Sequence, residues 1–265
     1  MRELVRTAAC LAAALVGLSG ALAQRAPYRE PSPAWEGATP LPRDPAGTFD
    51  YYLLSLSWSP TYCAGRGRQP DPQCGPRGRP FAFVLHGLWP QFERGWPQDC
   101  PSPDRGFVPR SIAERMGDIM PNERLVFHAY RKHGTCSGLG VEGYFALARR
   151  LYQKVKVPQR FAAPTHEPFT IAPGELVDAF LAANPGLKAD MIAVVCAGPG
   201  NRLREVRICF DRGGNFRACG PNEKQSKLCS AGHMYVPPVR PLWGSSTPSE
   251  EGSLTLPGPR EEAPR

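Results

Sequence analysis

Residues 49–58 read Phe-Asp-Tyr-Tyr-Leu-Leu-Ser-Leu-Ser-Trp, partly alternating apolar with polar and dense in the aromatic residues that suit a pleated, half-buried surface. That pattern predicts a strand. Short apolar runs at 81–88, 190–196 and 203–210 predict three more, and Gly198-Pro199-Gly200-Asn201 between the last two has the composition of a hairpin turn. Elsewhere the apolar period lengthens to that of a helix, at 111–118, 122–132, 141–155 and 173–183. Pro173 is suited to the first turn of the last of these, and Asn122, just after Pro121, to the N-cap of the second. Strands and helices interspersed, with a late hairpin and no internal repeat, predict an α+β fold around a mainly antiparallel central sheet with several flanking helices.

The pattern fails at both ends. Residues 24–47 and 237–265 are rich in Pro, Gly, Ser and charge, with too few apolar positions to offset the entropy of ordering, and are expected as an N-terminal linker and a disordered C-terminal tail. Ahead of the linker, Arg2 and Arg6 precede an apolar and small-residue run from Ala8 to Leu22 that is too short to span a bilayer. This reads as a signal peptide over residues 1–23, cut after Ala23, and implies a secreted or periplasmic protein without a membrane anchor. Cys10 has only nine residues before it, which leaves no room for the hydrophobic region of a lipoprotein signal, so it leaves with the leader. One domain, 48–236, remains.

Charge adds a weak hint. The chain carries +8, and losing Arg2, Arg6 and Glu3 with the leader leaves +7. Such a surface speeds capture of a polyphosphate, but basic secreted proteins without a nucleic-acid partner are also common. Cysteine usage says more. Eight cysteines remain after the leader (63, 74, 100, 136, 196, 209, 219 and 229), an even number suited to four disulfides in an oxidising compartment. Spacing alone leaves about 105 pairings open. Neither a Cys-x-x-Cys pair nor a His-Glu-x-x-His arrangement occurs, so no metal and no other cofactor is expected. Without an Asn-x-Ser/Thr sequon, N-glycosylation is not implied either.

Three of the five histidines fall in two segments, His86-Gly87-Leu88-Trp89-Pro90-Gln91 and His128-Ala129-Tyr130-Arg131-Lys132-His133-Gly134-Thr135-Cys136. On a helix, His128 and Lys132 are four residues apart and share one face, with Ala129 and His133 the adjacent pair. Leu125 and Phe127 can turn toward the core. Taken alone, this face is more simply a solvated basic strip. Two imidazoles with a lysine are also what metal-free phosphodiester cleavage requires: one takes the 2′-OH proton, the other protonates the departing 5′-oxygen.

The two segments closely resemble the active-site motifs of the T2 family of secreted endoribonucleases, over residues 50–236. The resemblance implies that family's α+β fold, stapled by Cys63–Cys74, Cys100–Cys136, Cys196–Cys229 and Cys209–Cys219. It implies His133 as general base, His86 as general acid, His128 as phosphate-binding residue and Lys132 as stabiliser of the transition-state charge. It further implies Trp89 as a stacking wall for a base, rather than the core residue it would be elsewhere, with Gln91 free to bond a base edge or face solvent. His166 and His233 lie outside both motifs and are expected in ordinary surface or structural roles. The expected partner is single-stranded RNA, cut to a 2′,3′-cyclic phosphate and then a 3′-phosphate by a monomeric enzyme. DNA, lacking the 2′-OH, should not be cleaved.

One position departs. Ala129 stands where the family usually carries glutamate, and Tyr130 replaces its usual tryptophan, as a packing residue. Alanine cannot orient His133 or hold a proton on it. A slower enzyme is therefore expected, with its activity maximum displaced upward in pH. The alternative is a T2-like protein that binds RNA with weak or no catalysis. Glu123 and Glu142 lie nearby in sequence, but nothing in the spacing nominates either as a substitute.

Overall fold

The computed structural model describes residues 44–66, 71–74, 80–162 and 167–239. The expected signal peptide, most of the linker, most of the tail and His166 lie outside the described residues. In chain order the elements are β1 (Tyr51–Trp58), α1 (Ser59–Arg66), β2 (Phe83–Gln91), α2 (Arg110–Met116), α3 (Glu123–Lys132), α4 (Gly140–Lys154) and α5 (Gln159–Ala162). They continue with β3 (Phe169–Ile171), α6 (Pro173–Ala183), β4 (Ile192–Ala197), β5 (Arg202–Phe210), α7 (Gln225–Leu228) and β6 (Met234–Val236).

The four longer strands form one antiparallel sheet in the order β2-β1-β5-β4, and β3 pairs antiparallel with β6 in a second, two-stranded sheet. The fold is thus the α+β architecture expected from the sequence. Gly198 and Gly200, both at positive φ, turn β4 back into β5, and the Asn201 N–H donates to the Gly198 carbonyl at 3.0 Å.

Alternation along β1 decides what each face of the sheet does. Tyr52, Leu54, Leu56 and Trp58 are buried in the main core, with Val206, Ile208 and Phe210 of β5 and apolar residues of α2, α4 and α6. Each fully buried side chain of this kind stabilises the fold by roughly 1.5–3 kcal/mol. The Tyr144 hydroxyl ties α4 to β2 by donating to the Leu88 carbonyl at 2.8 Å. On the other face Tyr51, Leu53 and Cys209 make a small second cluster against Trp89 and Cys219. Ser55 and Ser57 alternate onto that same face.

All four disulfides join the pairs implied by the resemblance: Cys63–Cys74, Cys100–Cys136, Cys196–Cys229 and Cys209–Cys219. Order extends beyond the expected domain ends. The Gly47 N–H donates to the Cys136 carbonyl at 2.9 Å. At the other end the Trp58 indole N–H donates to the Pro237 carbonyl at 3.1 Å, and Val239 is buried. Among the described residues no helix is long and apolar enough to cross a membrane.

Candidate active site

A cleft of about 430 Å³ opens between α3 and the second face of the sheet, and His86, His128, Lys132 and His133 all line it. Helix α3 and the residue that caps its end supply three of the four. The Asn122 side chain caps it by accepting from the Arg124 N–H at 3.0 Å, while Arg131 and Lys132 occupy the last turn, where cations suit the helix dipole. His128 and Lys132 share the cleft face, and His133 ends the helix with its N–H donating to the Ala129 carbonyl at 3.0 Å. Past it, the tight turn Gly134–Ser137 is buried. A side chain at Gly134 would run into Tyr130 and Tyr144. The Cys100–Cys136 bridge and an Asp99 N–H to Lys132 carbonyl bond at 2.8 Å fix this end.

Strand β2 supplies His86 by breaking its own register. Ser55 of β1 faces Gly87, yet Leu56 faces Leu85, so His86 is an extra residue in a β-bulge. In a regular strand His86 and Trp89, three apart, would point to opposite faces. The bulge brings both into the cleft, while Leu85 and Leu88 both face the core. Trp89 then stands between the two histidines. Its ring meets His86 edge-on, with centroids 5.2 Å apart, and stacks on His133 at 5.2 Å and 29°. Gly87 permits this, because a Cβ there would collide with the Trp89 indole nitrogen.

The two histidines have opposite surroundings. Burial, reinforced by the nearby Lys132, His128 and His86, pushes His133 down from 6.5 to about 3, and its Nδ1 has no hydrogen-bond partner among the described residues. It is held neutral, ready to accept a proton. His86 instead meets a carboxylate, with its Nδ1 2.7 Å from Glu205 Oε1. Burial opposes ionisation of Glu205, but His86 and Arg207 prevail and hold its carboxyl at about 2. His128 is also lowered, by burial and then by Lys132 and Arg131.

Ala129 is 2% exposed and lines the cleft, so the missing glutamate leaves an apolar patch beside His133. The sign of the expected pH displacement needs correcting on chemical grounds: without an anion beside it His133 sheds its proton more easily, so a lower, not a higher, acid limb is the outcome to expect.

Gln91 lines the cleft too, but it is buried and its amide donates to the Pro90 carbonyl at 3.1 Å. Leu125 lines the cleft while packing partly on the core, as Phe127 does. Tyr130 is fully buried, its hydroxyl bonded to Asp104. Glu142 pairs with Arg115 at the surface, 2.9 Å away, and neither it nor Glu123 lines the cleft. His233 is exposed outside the cleft. Several residues of the site were not legible in the motifs, among them Asn222 and the buried Glu223, which line the cleft from the turn before α7, and Glu205, which reaches His86 from behind. Glu205 and Arg207 sit on β5, and Trp96, 53% exposed, stands at the cleft wall in the loop after β2.

Residues 49–219 match the model of the Ribonuclease T2 family. The chain is 34% identical over 206 residues to a ribonuclease of Aeromonas hydrophila, covering 73% of this chain and 86% of that protein. It is 24% identical over 249 residues to ribonuclease I of Escherichia coli, covering 78% and 87%. Among solved structures, trichomaglin, an S-like ribonuclease, superposes with a TM-score of 0.58 at 24% identity, over 72% of this chain and 99% of its own.

Proposed function

The chain belongs to the ribonuclease T2 family and is a ribonuclease of that type; we propose that it cuts single-stranded RNA by metal-independent transesterification, with His133 as base and His86 as acid. The supporting observation is the pair of histidines in opposed environments on either side of Trp89, one neutral and buried, the other bound to a carboxylate. His133 takes the 2′-hydroxyl proton, the 2′-oxygen forms its bond to phosphorus, and the bond to the 5′-oxygen breaks as His86 protonates that oxygen. A 2′,3′-cyclic phosphate results. In the second step His86 takes a proton from water, which opens the ring to a 3′-phosphate, and His133 returns the proton to the 2′-oxygen.

Lys132 faces the charge that grows on the five-coordinate phosphorus, and losing such a donor typically costs ~10²- to 10³-fold in rate. His128, one helical turn before it, holds the phosphate. The exposed Trp96 offers an aromatic face for a base, where stacking is worth ~1–3 kcal/mol per base, whereas Trp89, expected in that role, already stacks on His133 and lies under the Arg207 guanidinium. Secretion through a cleaved leader and a monomeric state belong to the same reading.

The test is incubation with RNA and with DNA of the same sequence in excess EDTA. RNA should yield cyclic-phosphate ends first, DNA should stay intact, and His86→Ala and His133→Ala should each nearly abolish cleavage in a folded protein. Cleavage of DNA at a similar rate would reject the 2′-hydroxyl mechanism. RNA binding without cleavage by the unmutated protein would favour the alternative of a T2-like binder, with Ala129 as the cause.

A further inference from the structure

From the contacts of β5 we infer that Glu205 is the positioning residue of His86: its carboxylate takes the Nδ1–H and thereby turns Nε2 toward the substrate. The inference rests on His86 as the general acid. It begins with topology. β2 and β5 are not neighbours, because β1 lies between them. Two strand spacings, about 10 Å, separate their backbones. The side chains meet because the β1 residues beneath them are small: Ser55 pairs with Gly87 on one side and Arg207 on the other, and Ser57 with Val84 and Glu205. Over these serines the His86 Nδ1 reaches Glu205 Oε1 at 2.7 Å.

The carboxylate is itself fixed. Its second oxygen, Oε2, accepts from Arg207 Nε at 3.0 Å and is ion-paired with Nη2, also at 3.0 Å, and the Arg207 guanidinium lies over the Trp89 ring at 5.3 Å. One oxygen is thus committed to Arg207, the other to the imidazole. A neutral imidazole carries one proton, and the hydrogen bond made by one nitrogen decides where it sits. With Nδ1–H donated to Glu205, Nε2 carries the proton that the leaving oxygen receives and presents a lone pair afterwards. The bond on the Nδ1 side stays intact throughout. Among the described residues His133 has no such partner for its Nδ1. A carboxylate that backs the acid and a base left without one make the two imidazoles chemically unequal, which fixes the direction of proton flow in the first step.

Charged groups around His86 come from three sides: Glu205 and Arg207 from β5, His128, Lys132 and His133 from α3 and its end, and the buried Glu223, bonded to the Tyr51 hydroxyl, from the turn before α7. The test combines kinetics with nitrogen-15 spectra of the histidine rings. Glu205→Gln removes the anion but keeps the shape. Supporting results are a kcat lower by ~10- to 100-fold, by analogy with the loss of a carboxylate that orients a metal-bound histidine, a KM within twofold, an alkaline limb of kcat/KM moved to lower pH and an acid limb left in place. Wild-type kcat with both limbs unmoved in a folded Glu205→Gln protein overturns the inference. The unmutated protein gives a readout independent of that variant's folding: once neutral, His86 should keep its proton on Nδ1. A proton on Nε2 instead overturns the inference. Full activity in His86→Ala, by contrast, removes His86 from the mechanism and so strikes at the proposed function itself.

Discussion

At the scale of single residues, Ala129 and His133 govern how proton affinity is set. Ala129→Glu would put a carboxylate one helical turn before His133. We expect kcat to rise and the acid limb of kcat/KM to move to higher pH, because an anion there favours the protonated imidazole. An unchanged or lower kcat in the folded variant would mean that this cleft is built around alanine. His133 also carries a stability prediction. Burial lowers its folded value to about 3 from 6.5, so below 6.5 the unfolded chain takes up a proton that the folded chain refuses. Its contribution is complete above pH 6.5 and declines by about 1.4 kcal/mol per pH unit toward pH 3. Glu205 adds a second loss only as pH falls from 4.5 toward 2. Urea unfolding between pH 7 and 5 should therefore show a steeper acid loss in the unmutated protein than in His133→Asn. Equal slopes would place His133 in contact with water.

At the scale of elements, the bulge in β2 shows where reading a sequence stops. The alternation of β1 and the helical period of α3, with its Asn122 cap, were plain because the core imposes them on every second or every third to fourth position. His86 lies within a run that reads as an ordinary strand, and nothing in its residue types marks the added residue. The phase change appears only in the pairing with β1. Glu205 was hidden for a related reason: 119 positions separate it from His86, and the two meet across a third strand. A search for a substitute carboxylate near Ala129 in sequence could find only Glu123 and Glu142, neither of which lines the cleft. The short strands β3 and β6, three residues each, carry too few positions for any period to show. The bulged strand also yields a prediction. Gly87→Ala would push the Trp89 ring out of its place between the histidines, and a displacement of about 1 Å can cost ~10²-fold in rate. Near wild-type kcat, with an unchanged near-ultraviolet tryptophan spectrum, would show that the strand relaxes without moving the ring.

At the scale of the whole molecule, the catalytic helix depends on a covalent bond to a distant loop. The Cys100–Cys136 bridge closes 36 positions of chain and ends three residues past His133. Replacing both cysteines with serine should cost ~2–5 kcal/mol of stability. It should also lower kcat at temperatures where the protein remains folded, because Lys132 and His133 lose their fixed support. Wild-type kcat in the folded double variant would show that hydrogen bonds alone hold the helix end. Four such bridges have a consequence for the cell that makes the protein, which must synthesise this enzyme on ribosomes made of its substrate. A chain kept among reducing thiols lacks all four bridges, so on the stability and kcat losses expected above it should cleave poorly until it meets an oxidising compartment. Oxidation would then act as a safety catch, holding back cleavage until the frame is closed.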